Sequence, residues 1–373
     1  MSTQAQAAIC RGSSTPFTIE EVMLDALRPD ELRIRVVACG VCHTDMAVRD
    51  QQLPVPLPVV LGHEGAGIVE EVGSEVTVAR PGDRVVMSFN SCGHCPSCDI
   101  DAPTYCYDFF PHNWSGKRVD GSPTMFLDGE PMNANFFGQS SFATHVIAHE
   151  RNTVRVPDSA ASVPLERLAP IGCGLMTGAG AVLRAMKVRS GLPIAVFGAG
   201  TVGMAAIMAA KIAGANPIIA VDVNDERLAM AKELGATRAF NAKDDAVGRI
   251  RELCPPGLGY AFDTTGINKV IEDAWNLLAP KGICGIVGAS DPADNLTFNE
   301  AAFMGGGRTV MGILGGDSDL TNFLPELVEH HLAGRFPFEK LIGYFDFSEI
   351  NEAIHASESG KVVKPVLRIG AEN

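Results

Sequence analysis

Short runs in which apolar and polar residues alternate fill the first part of the chain. Residues 32–40 (LRIRVVACG), 65–73 (GAGIVEEVG) and 83–89 (DRVVMSF) each read as a strand, and Gly, Pro and Asp turns separate them. To about residue 150 this pattern predicts an antiparallel β-domain. From residue 192 the pattern changes. Residues 194–198 (IAVFG) and 218–223 (IIAVDV) are apolar runs. Between them residues 201–215 have helical character with a stop at Gly214; after the second run, residues 225–236 form an amphipathic helix with an acidic first turn and a Gly stop. Residues 260–266 (YAFDTTG), a helix to Leu278, and residues 282–288 (GICGIVG) continue the alternation. Strand–helix–strand repetition predicts a parallel, doubly wound sheet, hence an α/β fold. Beyond about Gly315 the pattern turns irregular again.

Composition narrows this picture. A length of 373 residues predicts two domains. A net charge of −14 argues against nucleic acid and anionic membrane as partners, since phosphate would be repelled. Residues 191–210 carry no charge, but Gly191, Pro193, Gly198, Gly200 and Gly203 read as a buried strand, turn and helix rather than a membrane span. The first residues lack a basic stretch followed by an apolar run, which predicts a cytoplasmic protein. In that compartment the ten cysteines are better read as metal ligands than as disulfides.

Three groups of residues carry chemistry. The first is GAGTVG, with Gly198, Gly200, Thr201, Val202 and Gly203. It follows a strand and opens a helix, the setting in which G-x-G-x-x-G binds a dinucleotide pyrophosphate at a helix N-terminus. A Gly-rich packing turn would look the same without that setting. Asp222, at the end of the second strand, is placed for the adenosine ribose hydroxyls. Its charge opposes a 2′-phosphate, which predicts NAD rather than NADP.

The second group is Cys92, Cys95, Cys98 and Cys106, spaced C-x2-C-x2-C-x7-C. Four thiolates on one loop close a tetrahedral zinc site and leave no position for substrate, so the site reads as structural. An iron–sulfur cluster also takes four cysteines, but with a different last spacing. The third group is spread out: Cys42 in GVCHTD, His63 in LGHEG and Cys173 in IGCGLMTG. Taken singly, the cysteines also fit buried small hydrophobes, and His63 a satisfied core histidine. As a set they leave a fourth position open, the mark of a catalytic zinc.

GVCHTD, LGHEGAGIVEEVG, PGDRVV, CGHCPSC, IGCGLMTGAGAV, FGAGTVG and KPVLRI occur in this order, from one end of the chain to the other. Together they resemble the zinc-containing medium-chain alcohol dehydrogenases. FFGQSSFATHV, SFNSCGHC and FPFEKLI resemble most the bacterial aryl-alcohol (benzyl alcohol) and geraniol dehydrogenases. The resemblance implies a GroES-like β-rich catalytic domain from residues 1–173 and 315–373, with the structural zinc lobe at 92–106. It implies a Rossmann NAD-binding domain at 174–314 and a cleft between the domains for substrate. It also implies a homodimer or homotetramer joined through sheet edges, with residues 308–316 (RTVMGILGG) as the candidate edge.

The same resemblance assigns roles. Cys42, His63 and Cys173 hold a catalytic zinc, giving two Zn2+ per chain. Thr44 accepts the substrate proton, Asp45 orients His63, and Glu64 lies behind the metal. His43 and Arg368 contact the cofactor pyrophosphate, Thr177 lies near the nicotinamide, and Arg227 near the adenosine ribose. Val287 joins the cofactor-binding set. Where many relatives end the proton relay in a histidine, this chain has Ala47. Leu53, Phe89, Phe110, Trp114 and Phe136, with Phe137, either line a slot for a flat benzylic or allylic alcohol or simply pack the lobe. The implied reaction is reversible NAD-dependent oxidation of a primary aromatic alcohol to its aldehyde. The rivals are an allylic terpene alcohol dehydrogenase and a non-catalytic NAD-binding relic, which should have lost one of Cys42, His63 and Cys173.

Overall fold

The computed structural model describes residues 3–290 and 293–372. Two compact units emerge. The first comprises residues 1–173, 319–332 and 338–373, the second residues 174–318 and 333–337.

The first unit is built on two sheets. One runs β4-β1-β2-β7-β8 and is antiparallel, with β1 Thr3–Cys10, β2 Thr18–Leu24, β4 Val59–Val60, β7 Met125–Leu127 and β8 Glu130–Met132. The other runs β10-β6-β5-β3-β18-β17, with β9 also paired to β3. Its strands are β3 Glu31–Gly40, β5 Gly65–Val72, β6 Arg84–Met87, β9 His145–His149, β10 Thr153–Arg155, β17 Ile342–Asp346 and β18 Lys364–Arg368. The alternation in residues 32–40 and 65–73 is therefore expressed as β3 and β5, which pair antiparallel. One apolar core, including Ile34, Val36, Leu61, Val69, Phe136 and Phe142, fills the space they enclose. Joining β18 to β3 brings the chain's end against its first ninety residues.

The second unit holds a six-stranded parallel sheet of order β13-β12-β11-β14-β15-β16. The strands are β11 Ile194–Phe197, β12 Ile218–Asp222, β13 Arg238–Asn241, β14 Leu258–Asp263, β15 Leu278–Ile286 and β16 Thr309–Gly312. Helix Thr201–Ala213 ends at Gly214 in the left-handed conformation, and helix Asp225–Leu234 is capped by the Asn224 side chain.

Three details depart from the sequence pattern. The helix expected to reach Leu278 ends at Asn276, and Leu278 already pairs with Leu258 in β15. Residues 238–253 add strand β13 and helix Ala246–Leu253, whose Ala246 and Ile250 are buried one turn apart although both elements are short. The stretch after Gly315 is not irregular: it contains helices Leu320–Leu332 and Ile350–Glu358 besides β17 and β18. The first of these buries Leu320, Phe323, Leu324, Leu327 and Val328 as a helical stripe despite Pro325. Among the described residues no single helix is long and apolar enough to cross a membrane.

Candidate active site

In the first unit, three separate segments converge on one point. The turn after β3 delivers Cys42, the turn before β5 delivers His63, and the end of the 3-10 turn Ala169–Gly172 delivers Cys173. Donor atoms of these residues and of Glu64 lie within 4.8 Å of one another. The Cys42 and Cys173 sulfurs are 4.0 Å apart, close to the roughly 3.8 Å edge of a tetrahedral site with zinc–sulfur bonds of about 2.3 Å.

Asp45 fixes the imidazole. His63 Nδ1 donates to Asp45 Oδ1 at 2.9 Å, while the same carboxylate accepts the Gly62 and Cys42 backbone N–H groups at 3.1 and 3.0 Å. Both side chains are about 1% exposed. This bond turns Nε2 inward, and that atom is buried with no hydrogen-bond partner. A buried orphan nitrogen is rare unless a metal takes it. Electrostatics agree. Cys42 lies well below the ordinary thiol range, because Cys173 donates to it and the charge of His63 outweighs the remaining burial cost. Burial alone would push His63 down, yet Asp45 and Cys42 carry it well above its ordinary value, so a metal binding there would displace a proton from the ring. The donor set therefore fits zinc with three protein ligands and an open fourth position.

Thr44 Oγ1 is 3.7 Å from the Cys42 sulfur, so its hydroxyl lies beside one donor of the set. Glu64 does not face it freely. Its two oxygens accept from Lys364 Nζ at 2.8 and 2.9 Å, and Lys364 also donates to the Val41 carbonyl. Both residues are buried. Burial pushes Glu64 up, to about 7, with the Lys364 charge acting against it. Burial works against the ammonium too, but Glu64 outweighs it and keeps Lys364 charged. Lys364 opens the KPVLRI motif, but a lysine in a strand near the chain end gives no signal of burial. Arg368, four residues on, sits elsewhere: it forks onto Glu166 at 2.9 and 3.0 Å and stacks on Tyr344. His43 is exposed at the start of helix His43–Arg49, and Ala47 is buried within it.

Aromatic rings gather around His63. Phe137 stacks on its imidazole at 4.7 Å and Phe136 meets it edge-on at 5.4 Å. Trp114 contacts both, Phe109 contacts Phe137, and Phe89 contacts Phe109. Phe110 is exposed and stacks on Trp114, whereas Leu53 packs half-buried on the core. Phe137 reaches the imidazole from a left-handed backbone (φ 52°), a conformation that local sequence does not announce for a phenylalanine.

The cysteine loop forms the second donor set. The sulfurs of Cys92, Cys95, Cys98 and Cys106 lie within 4.8 Å of one another, with Cys98 at 3.6 and 4.0 Å from Cys95 and Cys92. The Tyr107 and Cys92 N–H groups donate to the sulfurs of Cys95 and Cys106. Four sulfurs at these separations fit a closed zinc site.

In the second unit, Gly198 (φ +92°) turns the chain, and a Cβ on Gly203 would lie 1.8 Å from the Gly198 carbonyl oxygen. A Cβ on Gly200 would meet nothing within 4 Å, so backbone there stays approachable. Thr201 and Val202 form the first turn of the following helix. Asp222 accepts the Ala199 N–H at 2.6 Å and the Asn224 N–H at 2.9 Å. That ties the acidic residue to the glycine turn. Arg227 lies in the next helix with its Nε buried and unpartnered, Val287 follows β15, and Thr177 is buried in helix Gly174–Gly180.

Comparison with known proteins accords with both units. Residues 28–158 match the alcohol dehydrogenase GroES-like domain, and residues 201–329 match the zinc-binding dehydrogenase domain, a Rossmann-like fold. The chain is 43% identical to a geraniol dehydrogenase of Castellaniella defragrans over 97% of each sequence. It is 46% identical to an alcohol dehydrogenase zinc-binding domain protein of Burkholderia ambifaria, with a TM-score of 0.97 and full coverage of both chains. Against the benzyl alcohol dehydrogenase of Acinetobacter calcoaceticus identity is 40% and the TM-score 0.94, covering 99% of this chain and 100% of the other. The chain belongs to the zinc-containing medium-chain alcohol dehydrogenase family and is an oxidoreductase of that family.

Proposed function

We propose that this protein oxidises a primary aromatic alcohol to its aldehyde, reversibly, with NAD and two Zn2+ per chain. The observation that carries this reading is the buried, partnerless His63 Nε2 beside the Cys42–Cys173 sulfur pair, walled by aromatic rings. A zinc held by Cys42, His63 and Cys173 would polarise the alcohol oxygen and make its proton easier to lose. The Thr44 hydroxyl takes that proton and gives up its own; Ala47 cannot receive it, so the proton leaves through a cofactor ribose hydroxyl, water or another group. Phe137 and Trp114 orient a flat substrate and keep water from it, while Phe136, fully buried in the core, backs them. On the second unit the Gly198–Gly203 turn supports the pyrophosphate, and Asp222 favours ribose hydroxyls over a 2′-phosphate. Cys92, Cys95, Cys98 and Cys106 hold the second zinc and tie down the lobe that carries Phe109 and Trp114.

An allylic terpene alcohol is the second reading, supported by the 43% identity to a geraniol dehydrogenase. The proposal includes a homodimer or homotetramer, for which the open edge of β16, paired on one side to β15, would supply the joint. Initial rates with NAD and NADP over benzyl alcohol, cinnamyl alcohol, geraniol and ethanol test the assignment. Benzyl alcohol with NAD should give the highest kcat/KM. A preference for geraniol selects the second reading, and activity confined to ethanol or to NADP refutes both.

A further inference from the structure

A buried hydrogen-bond bridge joins two of the segments that carry the proposed zinc ligands. Gln139 is fully buried and uses its whole hydrogen-bonding capacity. Its amide nitrogen donates to the His63 carbonyl at 3.0 Å and to the Ser88 carbonyl at 2.9 Å. Its oxygen accepts the Gly65 N–H at 3.2 Å and the Ser141 hydroxyl at 2.6 Å. Ser88, equally buried, donates its hydroxyl at 2.5 Å to the carbonyl of Gly172, the residue before Cys173. The path therefore runs from His63 through Gln139 and Ser88 to the peptide that carries Cys173. Close packing backs it: a Cβ on Gly172 would lie 2.2 Å from the Met87 carbonyl oxygen, so β6 and the Cys173 turn touch backbone to backbone. Packing alone would hold these segments with apolar residues. A fully satisfied polar network in a buried place instead specifies one arrangement.

We infer that Gln139 and Ser88 are positioning residues that fix His63 relative to Cys173 and so set the geometry of the open metal position. The bridge is neutral, so it places the ligands without adding charge to a region that already holds Asp45 and Glu64. The inference rests on the reading that Cys42, His63 and Cys173 hold the catalytic zinc.

Cobalt substitution tests it, because the visible bands of Co2+ report ligand geometry directly. The protein is loaded with Co2+ as wild type, Ser88→Ala, Ser88→Thr, Gln139→Glu and Cys42→Ala, and the band lost in Cys42→Ala marks the catalytic site. Ser88→Ala and Gln139→Glu should shift that band and lower kcat about tenfold while KM for NAD stays within about twofold. Ser88→Thr, which keeps the hydroxyl, should restore both. If Gln139→Glu does not fold, Ser88→Ala, which removes one oxygen atom, decides alone. An unshifted band with wild-type kcat in Ser88→Ala overturns the inference, whatever happens to stability. A wild-type spectrum with no band that depends on Cys42 overturns the underlying metal reading instead.

Discussion

Asp45→Asn is the sharpest single perturbation of the site. The carboxylate serves three donors: His63 Nδ1 and the Gly62 N–H on Oδ1, and the Cys42 N–H on Oδ2. An asparagine amide has one acceptor atom and cannot serve both sides. If its oxygen faces His63, its NH2 group meets the Cys42 N–H, donor against donor. If the NH2 faces His63 instead, the Gly62 N–H is orphaned, and the imidazole must carry its proton on Nε2, where it can no longer bind a metal. The first orientation loses less and should win. It leaves one buried backbone N–H unpaired, which costs about 1–3 kcal/mol of stability. It also removes the charge that makes His63 a strong ligand, which weakens zinc about 10- to 100-fold, or about 1.4–2.7 kcal/mol. Competition with a chromophoric chelator measures the affinity of the weaker-held zinc. Asp45→Ala, which serves none of the three donors, should fall below Asp45→Asn. Zinc affinities within about twofold across all three proteins would refute the reasoning.

Other substitutions probe neighbouring parts of the account. Lys364→Met leaves Glu64 buried without its cation and should destabilise the first unit by roughly 3–5 kcal/mol, with Glu64→Gln in the same background recovering most of it; denaturation followed by Trp114 fluorescence in a Trp275→Phe background reads this out. Asp222→Asn should raise KM for NAD about tenfold and narrow the preference over NADP, because a charge-assisted bond is worth about 1.5–3 kcal/mol; unchanged kinetics with both cofactors would remove Asp222 from the site. Phe137→Ala should lower kcat/KM for benzyl alcohol about tenfold and for ethanol much less, since an aromatic pair adds about 0.5–1.5 kcal/mol beyond area; equal losses on both alcohols would make Phe137 a packing residue.

Features governed by local rules were legible in the sequence. β3, β5, β11 and β12 follow from alternation or apolar runs, and the four-cysteine loop from spacing inside 15 residues. The glycine turn is local too, and its physical reason survives in the 1.8 Å that a Cβ on Gly203 would leave to the Gly198 carbonyl oxygen. What depends on long-range contact was not legible. Cys42 and Cys173 lie 131 positions apart, and Lys364 meets Glu64 across 300; no periodicity encodes either. The first pair was legible only through resemblance of motifs, and Lys364 only as a member of KPVLRI with no role attached. Gln139 stood inside a segment singled out for its resemblance, but the proposed bridge depends on four partners: His63 just before β5, Gly65 at its start, Ser88 just after β6, and Ser141 in its own turn. Phe137 was grouped with its aromatic neighbours by composition, while its stacking on His63 depends on a backbone conformation rarely taken by phenylalanine.

The central claim is that one chain holds two zinc sites of different kinds, one open and catalytic, the other closed and structural. Elemental analysis of zinc per chain in wild type and in Cys42→Ser, with NADH formation from benzyl alcohol measured on the same samples, tests it most directly. The account predicts two zinc ions and turnover in the wild type, and one zinc ion and no turnover in the variant. One zinc ion in the wild type, or a variant that keeps its turnover, would contradict it.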